Sequence, residues 1–149
     1  MSKYFKIEHK ILVIVFLWLG MWLSSPAFAE QKRVLGDWEV HYIAFNTTFL
    51  TPEIARINSI QRSPNNTLIN ISVLDRRTKE AQELEITGTA RNLLGTTTKL
   101  QFKQVKEGKA IYYLAPFSFD DEEHYRFQIV MKQGSNSQTL RFEQKLYRE

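Results

Sequence analysis

The 149-residue chain contains no cysteine. That absence removes disulfides, thiolate metal sites and cysteine nucleophiles together, and it also removes the lipid-anchored export route, which needs a cysteine just after an apolar leader. Long apolar runs are missing too. The stretch Ile11 to Leu23 is about thirteen residues, short of the roughly twenty that a membrane-spanning helix needs. No serine sits in a Gly-x-Ser-x-Gly turn, and neither a phosphate loop nor a dinucleotide-binding fingerprint occurs. These absences argue for a non-catalytic protein, and no cofactor is implied.

What is present begins with a leader. Lys3, Lys6 and Lys10 precede the apolar stretch, which breaks at Ser24-Ser25-Pro26 and ends Ala27-Phe28-Ala29. A basic segment, an apolar segment and small residues at the cleavage positions describe a secretory signal peptide over residues 1–29, cut after Ala29. Residues 30–149 then form one exported domain with no stable membrane anchor. With no cysteine in an exported chain of this size, the bacterial periplasm is the compartment that fits. Removing the leader leaves seventeen basic against fifteen acidic residues, about +2, with signs alternating along the chain, so nucleic acid is not an expected partner.

The remaining chain alternates apolar and polar residues with period two. Trp38, Val40, Tyr42 and Ala44 alternate first; Ile69, Ile71 and Val73 follow; then Leu84 and Ile86, Leu100 and Phe102, and Ile111 to Ala115. Tyr125, Phe127, Ile129 and Met131 alternate with Arg126 and Gln128, and Leu140, Phe142 and Leu146 close the pattern. Turn residues separate these runs at 63–66, 92–95, 107–109 and 134–136. The pattern predicts an all-β fold, an immunoglobulin-like antiparallel sandwich of about seven strands. Thr51-Pro52-Glu53 reads as a cap, a first helical residue and a favourable charge, so a short helix of one or two turns is expected after the first strand. Tyr125, near the start of its strand, resembles a tyrosine corner, whose phenol bonds to upstream backbone, with Phe127 at a core position.

Two histidines survive processing, His41 and His124. Zinc and copper sites usually take three or four ligands, and these two with Met131 and the acids 120–123 would form one only if distant strands meet. No metal site is expected. The acids 120–123 lack the spacing and central glycine of a calcium loop and read as a solvated turn.

The segment from Asp37 to Leu50 is different because both of its faces are partly apolar. His41, Ile43 and Phe45 lie opposite Trp38 and Tyr42, and Asn46-Thr47-Thr48-Phe49 follows. Two readings follow. Either the segment lines a shallow groove with aromatic walls and hydroxyl and amide donors, or the short helix folds over it. The candidate binding residues are His41, Tyr42, Phe45, Asn46, Thr47, Thr48 and Phe49, with Arg62 nearby in sequence. Such a surface, or an exposed sheet edge, suits an envelope protein partner held by apolar contact or strand addition. The alternative function is a small metal or ligand carrier.

Gly36-Asp37-Trp38-Glu39-Val40-His41-Tyr42, Ala44 to Leu50 and Asn70-Ile71-Ser72-Val73-Leu74 resemble a proteobacterial periplasmic family catalogued only as a domain of unknown function. Ala110-Ile111-Tyr112-Tyr113, Leu140-Arg141-Phe142 and Gln144-Lys145 add to the likeness. The resemblance implies a single exported sandwich domain and carries over no catalytic residue.

Overall fold

In a computed structural model, residues 30–120 and 122–148 are described. The expected signal peptide, residues 1–29, lies outside the described residues. Among those described, the strands are β1 (Gln31–Leu35), β2 (Trp38–Asn46), β3 (Asn66–Asp75), β4 (Glu85–Asn92), β5 (Thr97–Leu100), β6 (Lys103–Glu107), β7 (Ala110–Ser118), β8 (Glu123–Gln133) and β9 (Asn136–Leu146). A 3-10 turn (Thr47–Phe49) and helix α1 (Pro52–Asn58) lie between β2 and β3.

The strands form two antiparallel sheets, one in the order β1-β2-β3-β7-β6 and the other β5-β4-β8-β9. With β2 taken as strand A, these orders become A-B-E-D and C′-C-F-G, the immunoglobulin arrangement, with β1 added beside A. The chain is therefore the all-β sandwich its alternation predicts, with nine strands instead of about seven. One extra strand is β1, joined to β2 by Gly36-Asp37, where Gly36 holds φ at +59°. Four of its five residues are exposed, so it has no apolar face to announce it. The other comes from dividing the expected Leu100 and Phe102 strand. β5 ends at Leu100 and β6 starts at Lys103, so the chain changes sheets at Phe102, which packs against the core.

The inward faces meet as predicted. Trp38, Val40, Tyr42, Ile69, Ile71, Val73, Tyr113 and Phe117 of the first sheet are buried against Tyr125, Phe127, Ile129, Met131, Leu140 and Phe142 of the second. Phe127 stacks on Phe142 with ring centres 4.8 Å apart, and Phe142 lies 4.8 Å from Tyr42 across the sandwich. Phe117 meets Tyr125 edge-on at 4.9 Å.

Helix α1 starts as its sequence predicts: the Thr51 hydroxyl accepts from the Ile54 amide at 3.3 Å and Pro52 opens the first turn. Its Ala55, with Ile60, packs on Leu68, Phe45 and Leu114, which face outward from the first sheet. The helix thus covers the Phe45 end of that face, in line with the second of the two readings of the segment.

Two tyrosines pin the corners, and only one does so through backbone. The Tyr125 hydroxyl donates to the Glu123 carboxylate, not to upstream backbone as a tyrosine corner would. Glu123 is the nearer acceptor because it precedes Tyr125 by two residues on the same face, and it also accepts from the Asp120 amide at 3.3 Å and Asn92 at 2.8 Å. Backbone is pinned instead by Tyr113. Its hydroxyl accepts from the Leu84 amide at 2.9 Å and donates to the Gln82 carbonyl at 3.2 Å, fixing the crossover from β3 to β4. Burial pushes the Tyr113 phenol above its ordinary pKa, so it stays a neutral donor.

Removing that hydroxyl leaves a buried amide and carbonyl without their partner. Tyr113→Phe is therefore expected to lower unfolding free energy by about 1–3 kcal/mol in urea titrations, with the far-ultraviolet β signal retained.

Candidate functional site

The segment singled out by sequence divides into parts with different fates. Tyr42 is only 3% exposed, so it belongs to the core and not to a surface. Phe45 lies under α1. Asn46 and Thr47 are buried, and their polar atoms hold the β2–β3 connection together. The Asn46 side chain accepts from the Thr48 amide at 2.9 Å and hydroxyl at 2.8 Å, and donates to the Pro64 carbonyl at 2.6 Å. The Thr47 hydroxyl donates to the Ser63 carbonyl at 3.2 Å and accepts from its amide at 3.0 Å. Arg62 donates to the Thr48 carbonyl at 2.9 Å.

This clamp presents Phe49 outward, half exposed, at the end of the sandwich. There it lines a pocket of about 120 Å³ with Asn46, Thr67, Phe119, Gln144 and Tyr147. Gln144 donates to the Ala44 carbonyl at 3.0 Å, tying β9 to β2 at the pocket's base. Lys145 lies 4.9 Å above the Tyr147 ring. Phe119, Gln144 and Tyr147 were not legible as site residues from the sequence. Gln144 stands in the closing motif, but its proximity to Asn46 depends on how the two sheets face each other.

His41 is elsewhere, facing outward from the first sheet in a charged cluster. Its Nε2 lies 2.9 Å from Glu39 Oε1 and its Nδ1 3.4 Å from Glu30. The other Glu39 oxygen takes Lys79 at 2.7 Å and Lys32 at 3.5 Å. These partners, Lys79 foremost and then His41, hold the Glu39 carboxyl down to about 2. The two histidines cannot converge with Met131. His41 faces out from the first sheet, His124 faces out from the second beside Glu143, and Met131 is fully buried between them. Among the described residues, no group of three or more His, Cys, Asp or Glu is placed to hold a metal ion.

The topology, the clamped connection and the aromatic pocket define a small immunoglobulin-like sandwich with an aromatic-lined recess at one end. The profile of the family described as Domain of unknown function (DUF4426) matches residues 32–149, and the chain belongs to that family. It is similar to the crystal structure of a DUF4426 family protein from Pseudomonas aeruginosa, with 33% identity, a TM-score of 0.71, and coverage of 80% of this chain and 96% of that one. FetP of uropathogenic Escherichia coli strain F11, recombinantly expressed in the periplasm of E. coli BL21(DE3), shares the fold at 10% identity and a TM-score of 0.54, covering 81% of this chain and 95% of its own. A copper-bound variant of FetP matches at 11% identity and a TM-score of 0.56, covering 81% and 97%. No curated protein compared with the chain matches it.

A carboxyl held low in the folded state stabilises the fold above its ordinary pKa, near 4.5, and that stabilisation is lost as pH falls toward 2. Melting curves from pH 6 to pH 2 should therefore fall less steeply below pH 4.5 in Glu39→Gln than in the parent. Parallel curves would remove Glu39 from the acid response.

Proposed function

We propose that the protein is a non-catalytic binding module of the bacterial cell envelope, working in the periplasm after residues 1–29 are removed, and that it engages a protein partner through the end of the sandwich carrying the Phe49 pocket. The supporting observation is where four of the seven exposed large apolar residues among those described fall; Val34 lies on β1 and Ile54 and Ile57 on α1. Leu94 is 90% exposed, Leu93 69%, Phe49 50% and Tyr147 49%. Register puts all four at one end: Asn46 pairs with Thr67, Asn66 with Ser118, Asn92 with Tyr125, and Glu123 with Leu146. Exposed apolar groups gathered this way mark contact surfaces, and aromatic residues are the usual anchors.

Size favours a protein partner over an enclosed small molecule. A pocket of about 120 Å³ holds about four waters' worth of volume, whereas small-molecule sites usually offer roughly 300–1,000 Å³. It suits one partner side chain inserted beside Phe49. Strand addition is the alternative mode of contact: three of the four sheet edges, β1, β5 and β6, are only four or five residues long, and the fourth, β9, runs for eleven.

A second reading, an envelope carrier, draws support from the fold shared with FetP, one variant of which is copper-bound. In native mass spectrometry, a stoichiometric copper adduct formed on adding Cu(II) would select it.

Phe49→Ala should change unfolding free energy by less than about 1 kcal/mol while weakening partner cross-linking from a photoreactive residue at position 94 in living cells. A loss of about 3–5 kcal/mol would place Phe49 in the core and end the surface reading.

A further inference from the structure

The outer face of the second sheet carries a different feature. Arg91 of β4 stands directly opposite Arg126 of β8, with Thr97 of β5 on its other side. One pleat along, Thr89, Gln128 and Arg141 lie in register across β4, β8 and β9. Arg33 of β1 reaches over from the first sheet, and its Nη1 donates to the Arg141 carbonyl at 2.7 Å. These four arginines, with Thr89 and Thr97, line an open groove of about 580 Å³, within the size range of small-ligand sites.

The groove is poorly neutralised. Glu143, its one lining carboxylate, sits 2.8 Å from Arg126 and also takes His124 at 3.3 Å. Arg141 donates to the uncharged Gln128 side chain at 3.3 Å. The Arg91 guanidinium has no hydrogen-bond or ion-pair partner among the described residues, although its backbone is paired within the sheet. Like charges directly opposite on neighbouring strands destabilise a sheet, so the Arg91–Arg126 pair works against folding and contributes nothing to the core. Lys99, paired with Thr89, adds a further cation at the β5 margin.

We propose that this groove binds a ligand bearing two or more phosphate groups. Guanidinium forks grip phosphate oxygens through paired hydrogen bonds, and four arginines against one carboxylate leave about three positive charges, more than a single carboxylate would offset. The Thr89 and Thr97 hydroxyls supply neutral donors at the groove wall.

Sodium tripolyphosphate, titrated into the purified protein at low ionic strength and followed by calorimetry and amide chemical shifts, should bind saturably, one per chain, and shift Thr89, Arg91, Arg126 and Arg141. Arg91→Gln with Arg141→Gln should weaken binding at least tenfold without lowering the melting temperature, while Lys103→Gln on the first sheet should leave it unchanged. Absence of saturable binding overturns the proposal, as does equal weakening by Lys103→Gln or equal affinity for tricarballylate, a tricarboxylate. Vesicles of cardiolipin, whose headgroup carries two phosphates, against phosphatidylcholine separate the sources. Co-sedimentation with the former, lost in the arginine variants, assigns the phosphate to a lipid headgroup, and tripolyphosphate binding without co-sedimentation assigns it to a soluble ligand.

Discussion

Ring contacts between Phe142 and Tyr42, and between Phe117 and both Tyr125 and Phe127, join the two sheets in a chain that has none of the B–F disulfide that antibody domains use for that purpose. An aromatic pair contributes about 0.5–1.5 kcal/mol beyond the area it buries, and a disulfide about 2–4 kcal/mol. A block of five rings, Tyr42, Phe117, Tyr125, Phe127 and Phe142, therefore supplies cohesion of the same order as one covalent bond. It also sets where everything else lies. With Tyr42 and Phe142 in contact, β2 and β9 are held face to face, so Gln144 reaches the Ala44 carbonyl and Tyr147 falls beside Phe49.

From that frame the molecule presents two surfaces of unlike character. The end of the sandwich is apolar and built from connections, clamped by Asn46, Thr47 and Arg62. The outer face of the second sheet is polar and built from strands, with its cations fixed by register. Membership of the DUF4426 family and the fold shared with FetP are compatible with either surface being used, since sandwiches of one fold host unrelated functions.

The fold was legible where a local rule governs it. Alternation located the buried faces of β2, β3, β8 and β9, and Thr51-Pro52-Glu53 located the helix. It failed where the decisive contacts are remote. β1 has no apolar face and exists through its pairing with β2; the break at Phe102 depends on which sheet each half joins; and Tyr125 turned to a carboxylate two residues away. The sites divide in the same manner. Phe49 was visible as an aromatic residue in a polar run, but Phe119 and Tyr147 reach it only through the meeting of two sheets. Charges that alternate along the chain gave no sign of a basic face, because placing Arg91 opposite Arg126 requires knowing that β4 pairs with β8.

The position of Phe142 on β9 also governs how the chain acquires its shape. β3 pairs with β7 across some fifty residues, Asn66 meeting Ser118, and the ring block closes only when β9 arrives. Pairings so distant in sequence are slow to form, and a nascent segment lacking β9 has no ring from Phe142 to set against Tyr42. An N-terminal fragment therefore lacks the contact between β2 and β9 that helps to hold one sheet on the other. Until the last strand is present, the edge of β8 that β9 covers is open to pairing with other chains.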